Sequence, residues 1–145
     1  MTKQELKKYI DILYKEAKNA YDRNEVPISS VLIFKDGQYL VSSNHVEEEN
    51  NPFSHAEFNV INDGLKLTNS KYLKDCILMV SLEPCLFCMG AILKSGIKEI
   101  YYVLDDEKLG SLSHYHTFVD DTLKISRIED KRFKPLMDDF FKKIR

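Results

Sequence analysis

Cys85 and Cys88 stand three positions apart in the stretch SLEPCLFCMG, directly behind Pro84. Proline suits the first turn of a helix, so the pair is expected to open one. Positions i and i+3 share a helical face. In a first turn the unpaired amides and the positive end of the helix dipole favour thiolate over thiol. Such a pair serves either a redox couple or a metal. Thirty residues upstream of Cys85, His55-Ala56-Glu57 opens a second predicted helix. Two helix starts at one edge of a sheet can point at one spot, and His55, Cys85 and Cys88 would then be three ligands. A structural zinc site is closed by four protein ligands, whereas three leave a position for water, the catalytic arrangement. Zinc lowers the pKa of that water toward neutrality. Glu57 can reach such a water without ligating the metal and can carry its proton. Taken singly, a histidine at a helix start is a surface residue and a first-turn glutamate a helix-dipole partner. The spacing of the whole set argues for chemistry.

The elements that must position these side chains follow from periodicity. Leu6, Tyr9, Ile10, Leu13, Tyr14, Ala17, Ala20 and Tyr21 recur at helical spacing, and Thr2 with Glu5 fits a capping box, so residues 2–22 are expected to be a helix. VPISSVLIF reads as a strand, Asp36-Gly37 as a hairpin turn and YLVSSN as the returning strand. Residues 45–54 read as a polar loop containing His45. Helical spacing resumes over 54–67 with Ser54 as the expected cap. CILMVSL is a buried strand with Cys76 in the core, PCLFCMGAILKSG a helix ending near Gly96, KEIYYVL a strand and TLKISRI a last strand before a terminal helix. This order predicts a central sheet with helices on both faces and parallel later strands.

At 145 residues, with 43% hydrophobic and 30% charged residues, the chain reads as a single globular domain over 1–145. MTKQELKKYI lacks the apolar block of a secretory signal, and no apolar run approaches a membrane span. Three cysteines are no disulfide framework, so a cytoplasmic protein without membrane contact is expected. A net charge of −2 excludes a global nucleic-acid footprint. The charge is uneven, however. Residues 131–145 carry six Lys/Arg and two Asp, a net +4, so the remainder is negative. By composition alone this tail reads as an amphipathic helix with packed phenylalanines and solvated lysines.

His-Ala-Glu followed by Pro-Cys-x-x-Cys is the established signature of the zinc nucleobase deaminases. The chain resembles the cytidine deaminase-like superfamily, and within it the bacterial tRNA-specific adenosine deaminases, from about residue 6 to the C-terminus. NEVPISSVLI, Asn44, HAE, SLEPCLFCMGAIL, DDEKLGS and DDFFKKIR carry the resemblance. It implies a three-layer α-β-α cytidine deaminase-like fold with a central mixed five-stranded sheet. It implies one zinc ion per chain on His55, Cys85 and Cys88, with Glu57 as proton shuttle. Asn44 would orient base or ribose, and Asp106 would lie near the flipped nucleotide's backbone. Phe140, Phe141, Lys142 and Lys143 would help hold a tRNA anticodon stem-loop, which reverses the bland reading of the tail. The implied reaction is hydrolytic deamination of the wobble adenosine to inosine by a homodimer, with Leu86 and Phe87 as candidate contacts.

The chain departs from the family pattern in several places. Ser29-Ser30 replaces Gly-Ala, and Asp105 replaces the Arg before Asp106. Glu47, Glu48 and Glu49 bring negative charge to the loop before His55. His114 and His116 lie where the pattern is not followed and read as polar-loop residues. Two other readings compete. One is a deaminase of a free base or nucleoside, such as guanine or cytosine, which the acidic balance favours. The other is a zinc-stabilised RNA-binding subunit without catalysis, which retention of Glu57 opposes.

Overall fold

The apolar periods become two layers around one sheet in the computed structural model, which describes residues 1–114 and 122–144. Helix α1 (Lys3–Asp22) begins with the expected capping box between Thr2 and Glu5. Strands β1 (Ser29–Ile33) and β2 (Tyr39–Ser43) form the predicted antiparallel hairpin. Its turn places Gly37 at φ +90°, a conformation open to glycine and strained for other residues. A short helix α2 (Val46–Glu49) interrupts the expected polar loop. Then come α3 (Ala56–Thr68), β3 (Ile77–Leu82), α4 (Leu86–Ser95), β4 (Glu99–Leu104), α5 (Ser111–His114), β5 (Lys124–Arg127) and α6 (Phe133–Lys143).

The sheet order is β2-β1-β3-β4-β5, with β1 antiparallel to both neighbours and β3, β4 and β5 mutually parallel. Successive side chains of a strand face opposite sides. Leu32, Leu78 and Val80 meet Val60 and Ile61 of α3 and Met89 and Ile92 of α4 on one face. Val31, Ile33 and Met79 meet Tyr9, Ile10, Leu13 and Ala17 of α1 and Phe133 of α6 on the other. The result is the expected α-β-α sandwich. Helix α3 leads into β3 and α4 follows it. Both helices therefore start at the C-terminal end of β3, and α4 stops at Gly96 in the left-handed conformation.

Candidate metal centre and substrate cavity

His55 is the N-cap residue of α3 and Cys85 that of α4, while Cys88 lies one turn into α4, fully buried. The expected cap Ser54 stands one residue further out. Its hydroxyl binds Glu49 Oε2 at 2.5 Å instead of an α3 amide, because His55 already has the extended backbone a cap needs. His55 Nδ1 lies 3.4 Å from Cys88 Sγ and 3.7 Å from Cys85 Sγ, and the three donors all fall within 4.8 Å of one another. Tetrahedral geometry with ordinary Zn–N and Zn–S bonds places N and S about 3.6 Å apart. The separations bracket that value, so this donor set fits a zinc ion.

The donors perturb one another. A hydrogen bond from Cys88, reinforced by His55, pulls the Cys85 thiol down to about 4, against its burial. The same contact, with burial, pushes Cys88 up. Hydrogen bonding to Cys85 raises His55. Burial pushes the Glu57 carboxyl up, against the smaller pulls of its own backbone and of His55. Glu57 is buried, and its Oε1 has no hydrogen-bond partner among the described residues. An orphaned buried acceptor is costly unless a ligand completes it.

Glu57 and His55 line a cavity of about 270 Å³ together with Cys85, Asn44, Val46, Glu47, Asp106 and Leu109. Asn44 is buried there, with Oδ1 3.4 Å from the Val46 amide. Asp106 reaches the rim, but its Oδ1 accepts the amides of Lys108 and Leu109, which turns its own loop. A larger cleft of about 540 Å³, lined by Lys35, Lys74, Lys98 and Lys124, opens at the opposite end of the sheet. It contains none of the expected site residues.

The departures from the family pattern find structural partners. The hydroxyls of Ser29 and Ser30 are fully buried and donate to the carbonyls of Leu13 and Ala56. Asp105 lies 3.4 Å from the Arg127 guanidinium. Within the acidic run, Glu48 pairs with Arg23 and His45. His45, read as a loop residue, caps α2.

Phe140, Phe141, Lys142 and Lys143 are not brought to the cavity; they lie on α6, which packs against α1. Phe140 is 3% exposed and meets Tyr21 edge-on, whereas Phe141 is 41% exposed. Lys143 Nζ sits 3.9 Å from the Tyr21 ring centroid. Of the tail's cations, Arg132 is paired with Asp11 and Asp130, and Lys134 with Asp138. His114 closes α5, and His116 lies outside the described residues. Sequence reasoning missed Glu25 and Glu83, both buried: Glu83 lines the cavity and Glu25 holds the amides of α2 behind it. The one local hint was a carboxylate wedged between an apolar strand and Pro84.

The MafB19-like deaminase family matches residues 4–145. The tRNA-specific adenosine deaminase of Rickettsia typhi is 34% identical over 139 residues, 90% of this chain and 94% of that one. Its counterpart in Aquifex aeolicus is 31% identical over 143 residues, 94% of each chain. A solved structure from biochemical and structural studies of A-to-I editing by tRNA:A34 deaminases at the wobble position of transfer RNA superposes with a TM-score of 0.79 at 32% identity. That match covers 86% of this chain and 99% of the other. A guanine deaminase from Bacillus subtilis shares the fold at 24% identity and a TM-score of 0.65, over 84% of this chain and 73% of its own.

Proposed function

We propose, from the premise that the chain belongs to the tRNA-specific adenosine deaminases within the MafB19-like deaminase family, that it hydrolyses the wobble adenosine of a tRNA anticodon loop to inosine and ammonia. The observation that carries the mechanism is Glu57, a buried carboxyl with a raised pKa and one unpaired oxygen, lining the cavity beside the His55-Cys85-Cys88 cluster. His55, Cys85 and Cys88 would hold one zinc ion. When bound, zinc supplies an acidified water as nucleophile at neutral pH.

The remaining chemistry belongs to the chain's own side chains. Glu57 takes one proton from the attacking water and delivers it to the purine ring nitrogen, where it stays. It then takes the second proton from the hydroxyl now on C6 and delivers it to the amine, which leaves as ammonia as the C6 carbonyl forms. A buried carboxyl with one oxygen free to meet the water and the base suits both transfers. Asn44, buried in the cavity wall, orients base or ribose. Asp106 places its loop beside the nucleotide backbone. A cavity of about 270 Å³ suits one extruded base rather than a stacked run. Helix α6 grips the stem-loop outside the cavity through Phe141, Lys142 and Lys143, with Phe140 anchoring it.

Two copies form the working unit. Support comes from an exposed aromatic patch in which Phe53 stacks on Phe87 with ring centroids 5.3 Å apart, next to exposed Leu86. The cytoplasm is the compartment that holds the substrate, and no described helix is long and apolar enough to cross a membrane. The test incubates the purified zinc-loaded protein with adenosine-containing anticodon stem-loops and, separately, with guanine and cytosine. Inosine from the stem-loops is expected. Xanthine or uracil with no inosine would replace this reading by a free-base deaminase.

A further inference from the structure

Glu25 and Glu83 are 0% and 2% exposed, and neither is a metal donor. Each spends both carboxylate oxygens on backbone amides of a segment outside the sheet. Glu25 Oε1 and Oε2 accept the amides of Glu47 and Glu48, each at 2.9 Å. Glu83 Oε1 accepts the Asp106 amide at 2.7 Å, and Oε2 the Leu112 amide at 3.1 Å. The first segment brings Asn44, Val46 and Glu47 to the cavity; the second brings Asp106 and Leu109. The two walls of one cavity are thus held by the same device.

The second wall is tied to the metal-donor segment as well. Ser111 donates from both N and Oγ to the Pro84 carbonyl, at 2.9 and 2.7 Å, and Gly110 bridges Cys85. Gly110 lies so close that a Cβ there would sit 2.1 Å from the Glu83 carboxyl carbon. Only a residue without a side chain lets the loop reach the carboxylate. The side chain of Glu83 therefore sets the distance between the loop bearing Asp106 and the segment bearing Cys85.

We infer that Glu25 and Glu83 are positioning residues that clamp the two walls of the substrate cavity, Glu83 against the metal-donor segment and Glu25 against the turn that follows α1. The role in substrate binding rests on the deaminase reading above. Ionised carboxylates satisfy two amides each, whereas an amide side chain offers one acceptor and sets an NH₂ group against the other N–H. Loosening a wall misplaces the base relative to the reacting groups.

The test measures amide hydrogen exchange and kinetics on the zinc-loaded protein and its Glu83→Gln, Glu25→Gln and Gly110→Ala variants, with an adenosine-containing anticodon stem-loop as substrate. Glu83→Gln should speed exchange in residues 105–112 and leave 44–49 unchanged; Glu25→Gln should do the reverse. Both should keep their zinc and raise KM about tenfold, the scale of one lost charged hydrogen bond, with a smaller change in kcat. Gly110→Ala keeps the carboxylate but pushes the loop off it, and should reproduce the Glu83→Gln exchange pattern and KM. It decides the matter if Glu83→Gln does not fold. Unchanged exchange in the walls would overturn the inference, as would loss of zinc or unfolding in both Glu83→Gln and Gly110→Ala, since the carboxylate would then hold the fold rather than the wall. A wild-type protein inactive on the stem-loop would sink the substrate reading alone, because the exchange pattern tests the clamps without substrate.

Discussion

The Ser30 hydroxyl on β1 donates to the carbonyl of Ala56, the residue between His55 and Glu57, at 2.7 Å. A side chain of the central sheet thereby braces the first turn of α3, which carries both the imidazole and the carboxyl. Ser30→Ala removes one buried neutral hydrogen bond, a loss of about 1 kcal/mol. We expect Tm to fall by about 3 °C in a calorimetric scan. Activity should fall with zinc retained, because the helix start loses its brace. An unchanged Tm and rate would show that the hydroxyl merely fills space.

Metal binding and proton transfer should separate cleanly by mutation. Cys88→Ala removes a fully buried donor of the three-residue set. Elemental analysis should show zinc falling from about one ion per chain to near none. Glu57→Gln keeps the donors and the shape, so zinc should stay while deamination drops at least ~10²-fold. Near-normal turnover in that variant would assign the proton transfer to another group.

The junction of α1 and α6 should be acid-sensitive. Hydrogen bonds from Arg132 hold the Asp130 carboxyl below the ordinary carboxylate value, against a smaller upward push from burial. Arg132 also reaches Asp11 on α1 and lies 4.7 Å from the Tyr14 ring centroid. A folded-state pKa below the unfolded one means that the unfolded chain binds the proton more readily. The contribution is complete above the unfolded value of about 3.9 and is lost as pH falls through the depressed folded value. Asp130→Asn should therefore flatten the acid limb of a Tm-against-pH curve and lower Tm at neutral pH. Parallel curves for the two proteins would rule the pair out as a source of acid sensitivity.

The exposed Phe53–Phe87 stack with Leu86 should be covered in solution. Sedimentation should give a species of twice the 16.9 kDa chain mass. Phe87→Asp should shift it toward the monomer, because an interface core disfavours buried unpaired charge. A wild-type monomer at micromolar concentration would remove the dimer from the proposal.

What was legible in the sequence is what depends on neighbours along the chain. The Thr2–Glu5 capping box, the Asp36-Gly37 turn and the Gly96 stop are local devices, and each lies where its spacing predicts. The His55-Cys85-Cys88 set was legible because two helix starts and one strand leave little freedom in where the donors meet. Helix α2 was not, because the carboxylate holding its amides belongs to Glu25, some twenty residues earlier. The clamp of Glu83 on the loop before α5 is equally non-local. The cap of α3 was misplaced by one residue because histidine is a poor capping type, and its extended backbone reflects the site rather than propensity.

The tail offers the sharpest separation of packing from recognition. Neighbouring residues on a helix point about 100° apart, and α6 uses the difference: Phe140 is buried against Tyr21 while Phe141 faces out. Lys143 is held over the Tyr21 ring, which presents the end of the helix as a basic edge anchored to α1. Phe140→Ala should loosen α6 and cost about 3–5 kcal/mol of stability, as for other buried aromatics. Phe141→Ala should leave Tm nearly unchanged yet raise KM for the anticodon stem-loop by about ten- to a hundredfold, the range of one lost base stack. Lys142→Ala should reduce the salt dependence of stem-loop binding, since each lysine–phosphate contact releases counterion. Zinc content should be unaffected in the Phe141 and Lys142 variants, because α6 contributes no donor to the cluster. If Phe141→Ala deaminates the stem-loop with wild-type KM and salt response, the tail is a packing element and the RNA is held elsewhere.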